Sequence, residues 1–225
     1  MPKPTFLNLP PDKRRRIVDA ALQEFALRDY RSASVGRIVD AVGIAKGSVY
    51  QYFDGKLDLY RYLVDLAAET KFRFIDAARA GDAPDFFSQV RQAAFHGARF
   101  DFSEPRYASL LYHATYEPST PETLEVSSRL RAASHAYLRG LVDAGVARGD
   151  LRPDLDRDMV VYALYQLTVA LRDYLSARFG FSFKDAVRAG AGLPIADEEL
   201  GGVLDDMLGI LRRGLERGEG AAGAK

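Results

Sequence analysis

The sequence predicts an all-α protein, with a small N-terminal three-helix unit followed by a larger helical domain. Three observations carry this expectation. Apolar residues recur at three- and four-residue spacing along most of the chain, and no run alternates as a half-buried strand would. The gaps between these runs hold Gly and Pro, the residues that end helices. The 225 residues, 48% of them hydrophobic, suffice for a substantial core.

The elements follow in order. Residues 1–10 are proline-rich and are expected to form a flexible arm. A first helix should run from Pro11, where a missing N–H costs nothing, to about Arg28. Its apolar face is Ile17, Ala20, Ala21 and Phe25. Two short helices are expected at 35–42 and 45–52, with Ser34 capping the first and Gly43 turning the chain between them. A long helix should begin near Lys56, reach about Arg79 and be ended by 81–84. Further helices are expected at 84–101, 105–114, 122–148, 156–179 and 196–217. Residues 180–194 read as an irregular link with room for a short helical turn. The small, polar tail at 218–225 is expected to be disordered. The predicted division is therefore an arm at 1–10, a first domain at 11–55, a second at 56–217 and the tail.

Charge and composition narrow the function. The formal net charge is zero, which excludes a uniformly basic coat. Residues 1–60 nonetheless carry 10 Lys/Arg against 7 Asp/Glu, a surplus that suits an anion-binding N-terminal module. There is no cysteine, hence no disulfide and no Cys metal site. The three His have no partnered nucleophile, and no Gly-rich phosphate loop, HExxH or Cys/His cluster is present. No catalytic residue, metal or cofactor is therefore expected. The most apolar run, 159–171, is too short to span a bilayer, and no signal-peptide core is seen. A cytoplasmic protein without membrane contact is the expectation.

The informative segment is 24–60. Val35, Ile38 and Val39 form the apolar face of the second helix, Ile44 plugs the gap after Gly43, and Val49 and Phe53 return from the third helix to the same core. The remaining residues of the third helix, Lys46, Gly47, Ser48, Tyr50, Gln51 and Tyr52, are expected to face outward. That surface is small, hydroxylated and aromatic, and its glycine costs about 1 kcal/mol of helix propensity. A helix entering a DNA major groove gains from small residues that permit close approach, and from hydroxyls and amides that reach phosphates and base edges.

Phe25, Tyr30, Ser34, Val35, Ile38, Gly43, Lys46, Gly47, Tyr50, Phe53, Lys56 and Leu59 stand in a gap-free pattern that resembles the DNA-binding domain of TetR-family regulators. The motif covers 11–60. Three positions depart from it: Asp29 stands where Gly is usual, Ala45 where a capping Ser is usual, and Arg37 where an acidic residue is common. The resemblance implies a ligand-responsive transcriptional regulator, a repressor in most cases, with activation as the alternative. It implies Tyr50, Tyr52 and Lys56 as phosphate contacts, and Lys46, Gly47, Ser48 and Gln51 as residues facing base edges. Ser34 and Arg37 complete the expected DNA-binding set, Arg37 as a further phosphate contact.

A homodimer is expected for two reasons. Residues 159–171 are apolar nearly all round, so both sides need cover. Two-turn helices also gain by pairing, since two recognition helices about 34–36 Å apart read successive major grooves of a palindrome. The expected interface is Tyr162, Leu164 and Leu171 with Leu200, Leu204, Met207 and Leu211 of the last helix. The aromatic-rich stretch 72–116 suggests that the helical domain binds a small-molecule effector, hydrophobic or acyl-CoA-like, and the resemblance implies that this effector releases the dimer from its palindromic operator. Its expected contacts are Phe95, Arg99, Tyr112, His113, Tyr116 and Tyr165, with Arg99 meeting an anionic group.

Overall fold

The computed structural model describes residues 1–78 and 83–215. Among these residues it contains helices only: α1 (Pro4–Leu7), α2 (Pro11–Leu27), α3 (Val35–Val42), α4 (Lys46–Tyr52), α5 (Lys56–Ala78), α6 (Phe86–Ser103), α7 (Pro105–Tyr116), α8 (Pro121–Arg148), α9 (Arg157–Phe179), α10 (Phe183–Ala189) and α11 (Asp197–Leu215). The boundaries follow the expected ones closely. The link at 180–194 holds α10, whose first turn is capped by the Ser182 hydroxyl. The expected tail at 218–225, position 79 of the expected long helix, positions 81–82 of the expected break after it and positions 216–217 of the expected last helix lie outside the described residues. None of the helices among the described residues is long and apolar enough to cross a membrane.

The expectation of a flexible arm at 1–10 is corrected. Pro4–Leu7 is helical, and Phe6 is completely buried in the first core. Burying this aromatic contributes roughly 1.5–3 kcal/mol, and the segment is also bonded to α4 through Lys3 and Thr5 and to α2 through the Leu7 carbonyl.

The chain forms two compact units, and they do not follow sequence order. One comprises Met1–Arg73, Phe100–Leu130 and Ser182–Leu193. Its core joins Phe6, Ile17, Leu22 and Phe25 to Ile38, Val39, Val49, Phe53, Leu59, Tyr60 and Leu63, with Leu110, Ala114 and Val126 from α7 and α8. Hence the three-helix head and α7 share one continuous interior. Two polar contacts fix α7 on α2: His113 Nδ1 lies 3.2 Å from the Phe25 carbonyl, and Arg106 pairs with Asp19. The other unit comprises Phe74–Arg99, Arg131–Phe181 and the residues from Pro194 onward. Phe86, Phe87, Val90, Leu138, Leu141, Val142, Val160, Val161, Leu164, Tyr165 and Leu208 form its core. Asp156 caps α9 by accepting from the Asp158 and Met159 amides.

Candidate functional site

The head is built around a tight turn. Ser34 has extended backbone angles, and its hydroxyl accepts from the Arg37 amide, which starts α3. Gly43 ends α3 at φ 76°, a left-handed conformation that any Cβ would strain. Its amide lies 2.9 Å from the Val39 carbonyl. Ile44 then packs on the core and the chain enters α4.

Two sides of α4 are distinct. Val49 and Tyr52 are buried, whereas Lys46, Gly47, Tyr50 and Gln51 are exposed and Ser48 is half-buried. Lys46 with Tyr50 and Gly47 with Gln51 are each four residues apart, so all four lie on one outward face. The structure thus brings together most of the expected reading residues. Tyr52 is the exception and is corrected: it is 6% exposed, with its ring 6.0 Å from that of Phe6. It serves the core because its spacing from Val49 places it on the apolar side.

Arg37 is half-exposed, but its guanidinium is engaged by the protein. It donates to Glu24 Oε1 from Nε at 2.9 Å and from Nη2 at 2.6 Å, and to the Ser32 carbonyl at 2.6 Å. Glu24 is the center of this cluster. Its buried carboxylate also accepts from the Ser34 amide at 2.8 Å and from Arg28 at 2.9 Å. Burial raises the Glu24 pKa, but the bonds from Arg37 and Ser34 and the charge of Arg28 outweigh it and hold the carboxyl below its ordinary value. The sequence reading missed Glu24. Its signal was an acidic residue beside Phe25, three positions after Ala21 on the core face.

Lys56 opens α5. Its ammonium lies 4.6 Å from the center of the Tyr30 ring and donates to the Arg31 carbonyl at 3.2 Å. Burial lowers its pKa, against the opposing pull of Asp29 and Glu24. The side chain remains partly exposed, beside Arg31 at the edge of the head.

The expected effector residues fall into two groups. Tyr112, His113 and Tyr116 lie in the first unit on α7, with the Tyr112 and Tyr116 rings 5.1 Å apart. Phe95, Arg99 and Tyr165 lie in the second unit, where Tyr165 stacks edge-on against His135 at 4.6 Å. Arg99 already pairs with Asp197 at 3.0 Å and with the Ile195 carbonyl at 2.9 Å.

The expected dimer face is corrected in part. Leu164, Leu171, Leu200 and Leu204 are buried in their own chain, at 3%, 7%, 0% and 0% exposure. Met207 and Leu211 are half-buried against the core that contains Leu164. Tyr162 is 53% exposed, with Met159 at 61%, Tyr174 at 49% and Ile210 at 69%. The open stripe of α9 is thus Met159, Tyr162, Gln166, Ala170 and Tyr174, and that of α11 is Gly202, Asp206, Ile210 and Arg213. Leucines at three- and four-residue spacing mark a buried stripe but do not say which partner buries it.

Comparison with known proteins agrees with this architecture. Residues 17–63 match the family model described as bacterial regulatory proteins, tetR family. Residues 84–216 match the tetracyclin repressor-like C-terminal domain. A TetR family transcriptional regulator from Chloroflexus aurantiacus J-10-FL is 39% identical, covering 97% of this chain and all of its own, with a TM-score of 0.80. The HTH-type transcriptional regulator TtgR of Pseudomonas putida is 24% identical over 160 residues, 68% of this chain and 75% of that protein. The regulator FadR from Bacillus subtilis, solved in complex with stearoyl-CoA, shares the fold at a TM-score of 0.67 and 16% identity, covering 89% of this chain and 98% of that one. With family models matched over both its head and its remaining helices, the chain belongs to the TetR family of transcriptional regulators.

Proposed function

We propose that this regulator is a homodimeric repressor that binds a palindromic operator through α4 and leaves it when a hydrophobic effector, acyl-CoA-like in chemistry, occupies the helical body. The observation that carries the DNA-reading role is the outward face of α4: Lys46, Gly47, Tyr50 and Gln51 stand exposed on a two-turn helix whose other side is core. Glycine lets the backbone approach, Lys46 can donate to guanine O6/N7, and Gln51 can pair with adenine. Tyr50, Ser34 and the Lys56 end of α5 are assigned to phosphates, with Arg37 beside them.

The dimer is assigned to the open stripes of α9 and α11, which carry the exposed large hydrophobic residues Met159, Tyr162, Tyr174 and Ile210. Effector release follows from differential affinity: a ligand that prefers one arrangement of the helical body shifts the population away from the DNA-binding one. The stearoyl-CoA carried by the Bacillus subtilis relative supports the acyl-CoA class.

Selection of genomic fragments by the full-length protein, followed by band-shift titration of the recovered duplex with and without long-chain acyl-CoA, tests this reading. Recovery of a palindrome and loss of the shifted band with acyl-CoA, but not with free CoA, are expected. Recovery of no fragment removes the DNA-reading role. Unchanged affinity with acyl-CoA removes that effector class. Replacing Phe95 and Tyr165 by Ala in one variant, and Tyr112 and Tyr116 in another, shows which group contacts the effector. Activation of a reporter by the bound protein would replace repression by the alternative sign.

A further inference from the structure

An α-helix leaves its last four carbonyls without partners inside the helix. In α4 these are the carbonyls of Val49, Tyr50, Gln51 and Tyr52, and every one has a partner. Val49 accepts from the Phe53 amide at 2.8 Å. Tyr50 accepts from Lys3 Nζ at 2.9 Å, Gln51 from the Thr5 hydroxyl, and Tyr52 from the Lys3 amide at 2.8 Å. Three of the four bonds therefore come from Lys3 and Thr5. The Lys3 ammonium also lies 2.8 Å from Asp54, and its charge complements the negative end of the helix dipole.

The donor segment is itself held. Phe6 is buried with its ring 4.8 Å from Phe53 and 5.5 Å from Tyr62. The Leu7 carbonyl accepts from Arg14 Nη1 of α2 at 2.9 Å. Meanwhile α4 has little to hold it from within. It is seven residues long, starts at Ala45 without a side-chain cap, and contains Gly47. Helices this short are marginal alone. The carbonyls that Lys3 and Thr5 hold include those of Tyr50 and Gln51, whose side chains point outward from α4.

We propose that Lys3, Thr5 and Phe6 are positioning residues for operator recognition: the segment Lys3–Leu7 clamps the end of α4 and thereby sets the aim of Tyr50 and Gln51. The proposal rests on the DNA-reading role of α4. Its claim is additional, because that role does not require residues 1–7.

The test uses full-length protein and the duplex recovered by the wild-type chain, with a shuffled duplex as the non-specific control. Lys3→Met with Thr5→Val removes the Lys3 side-chain donor and the hydroxyl while leaving Phe6 in place. Affinity for the recovered duplex is expected to fall roughly ten- to hundredfold, with a smaller fall on shuffled DNA, where only the Tyr50 phosphate contact is misaimed. Thr5→Val alone should lose about three- to tenfold, and Thr5→Ser, which restores the hydroxyl, should return to within about twofold of wild type. The salt dependence should be unchanged. Thr5 is exposed, so the single variant decides the matter if the double variant unfolds.

Wild-type affinity in both variants overturns the proposal and leaves the DNA-reading role intact. A salt slope reduced by about one for each Lys3 lost also overturns it, because Lys3 would then be a phosphate contact. Equal losses on specific and shuffled DNA overturn it as well. Failure of the wild-type chain to recover any duplex is a different failure, that of the DNA-reading role itself.

Discussion

Replacing Glu24 by Leu should loosen the head, and the structure gives the size of the effect. The carboxylate is 6% exposed and accepts from the Ser34 amide, Arg37 and Arg28. Leucine fills the space but accepts nothing. The Ser34 amide, at the first turn of α3, is left without its acceptor at a cost of about 1–3 kcal/mol. The two arginines are each more than a third exposed, and on losing Glu24 they regain water, so no stabilization is assigned to them. For a chain of this size that corresponds to a fall of roughly 2–12 °C in Tm. Thermal melts followed by circular dichroism measure it directly, and Glu24→Gln, which keeps an acceptor oxygen, should lose less. The pH dependence gives a second reading. Because the folded carboxyl titrates below the ordinary 4.5, its stabilization is present above that value and is lost as pH falls through the folded pKa. The Leu variant should therefore differ most from wild type at neutral pH, and the gap should narrow in acid without closing, because the protonated carboxyl keeps an acceptor oxygen for the Ser34 amide. A loss below about 0.5 kcal/mol, or a difference that stays constant into acid, would refute the reasoning.

Three further outcomes are expected. Gly145→Ala and Gly140→Ala lie on the same helix and should have opposite signs. A Cβ at 145 would meet Phe86 at 2.9–3.1 Å and force overpacking of about 1–3 kcal/mol, whereas one at 140 meets nothing within 4 Å and gains up to about 1 kcal/mol of helix propensity; urea melts read both. Gly43→Ala should destabilize by about 1–2 kcal/mol in the same assay, since φ is 76° and space is not the obstacle. Burial holds the His96 imidazole below 6.5 despite the pull of Asp197, so the unfolded chain takes up a proton first and stability should erode as pH falls through 6.5; His96→Gln should flatten the urea-midpoint profile below that pH.

The helices were legible in the sequence because their periodicity and punctuation agree. Gly43, Ser34 and Pro11 each mark a boundary that the backbone obeys. The outward face of α4 was legible too, apart from Tyr52. That residue was read by its chemistry, whereas its position, three after Val49, puts it inside. Phe6 was hidden because one aromatic among prolines has no period to display, and its partners lie in α4 and α5. Glu24 and Arg37 were read separately because nothing local pairs residues 13 apart. Leu164, Leu171, Leu200 and Leu204 show a different limit: their spacing announces burial, but a subunit's own interior and a second subunit impose the same pattern.

The two ends of α4 are held unequally. Its last turn is tied to Lys3 and Thr5, while Ala45 brings no side-chain oxygen to the first-turn amides. Thermal opening should therefore begin at Lys46 and stop short of Phe53, giving rapid amide deuteration at the leading edge and protection at the trailing one. The end that opens first carries Lys46 and Gly47, so groove entry would restrain the half of the helix that moves most when the protein is alone.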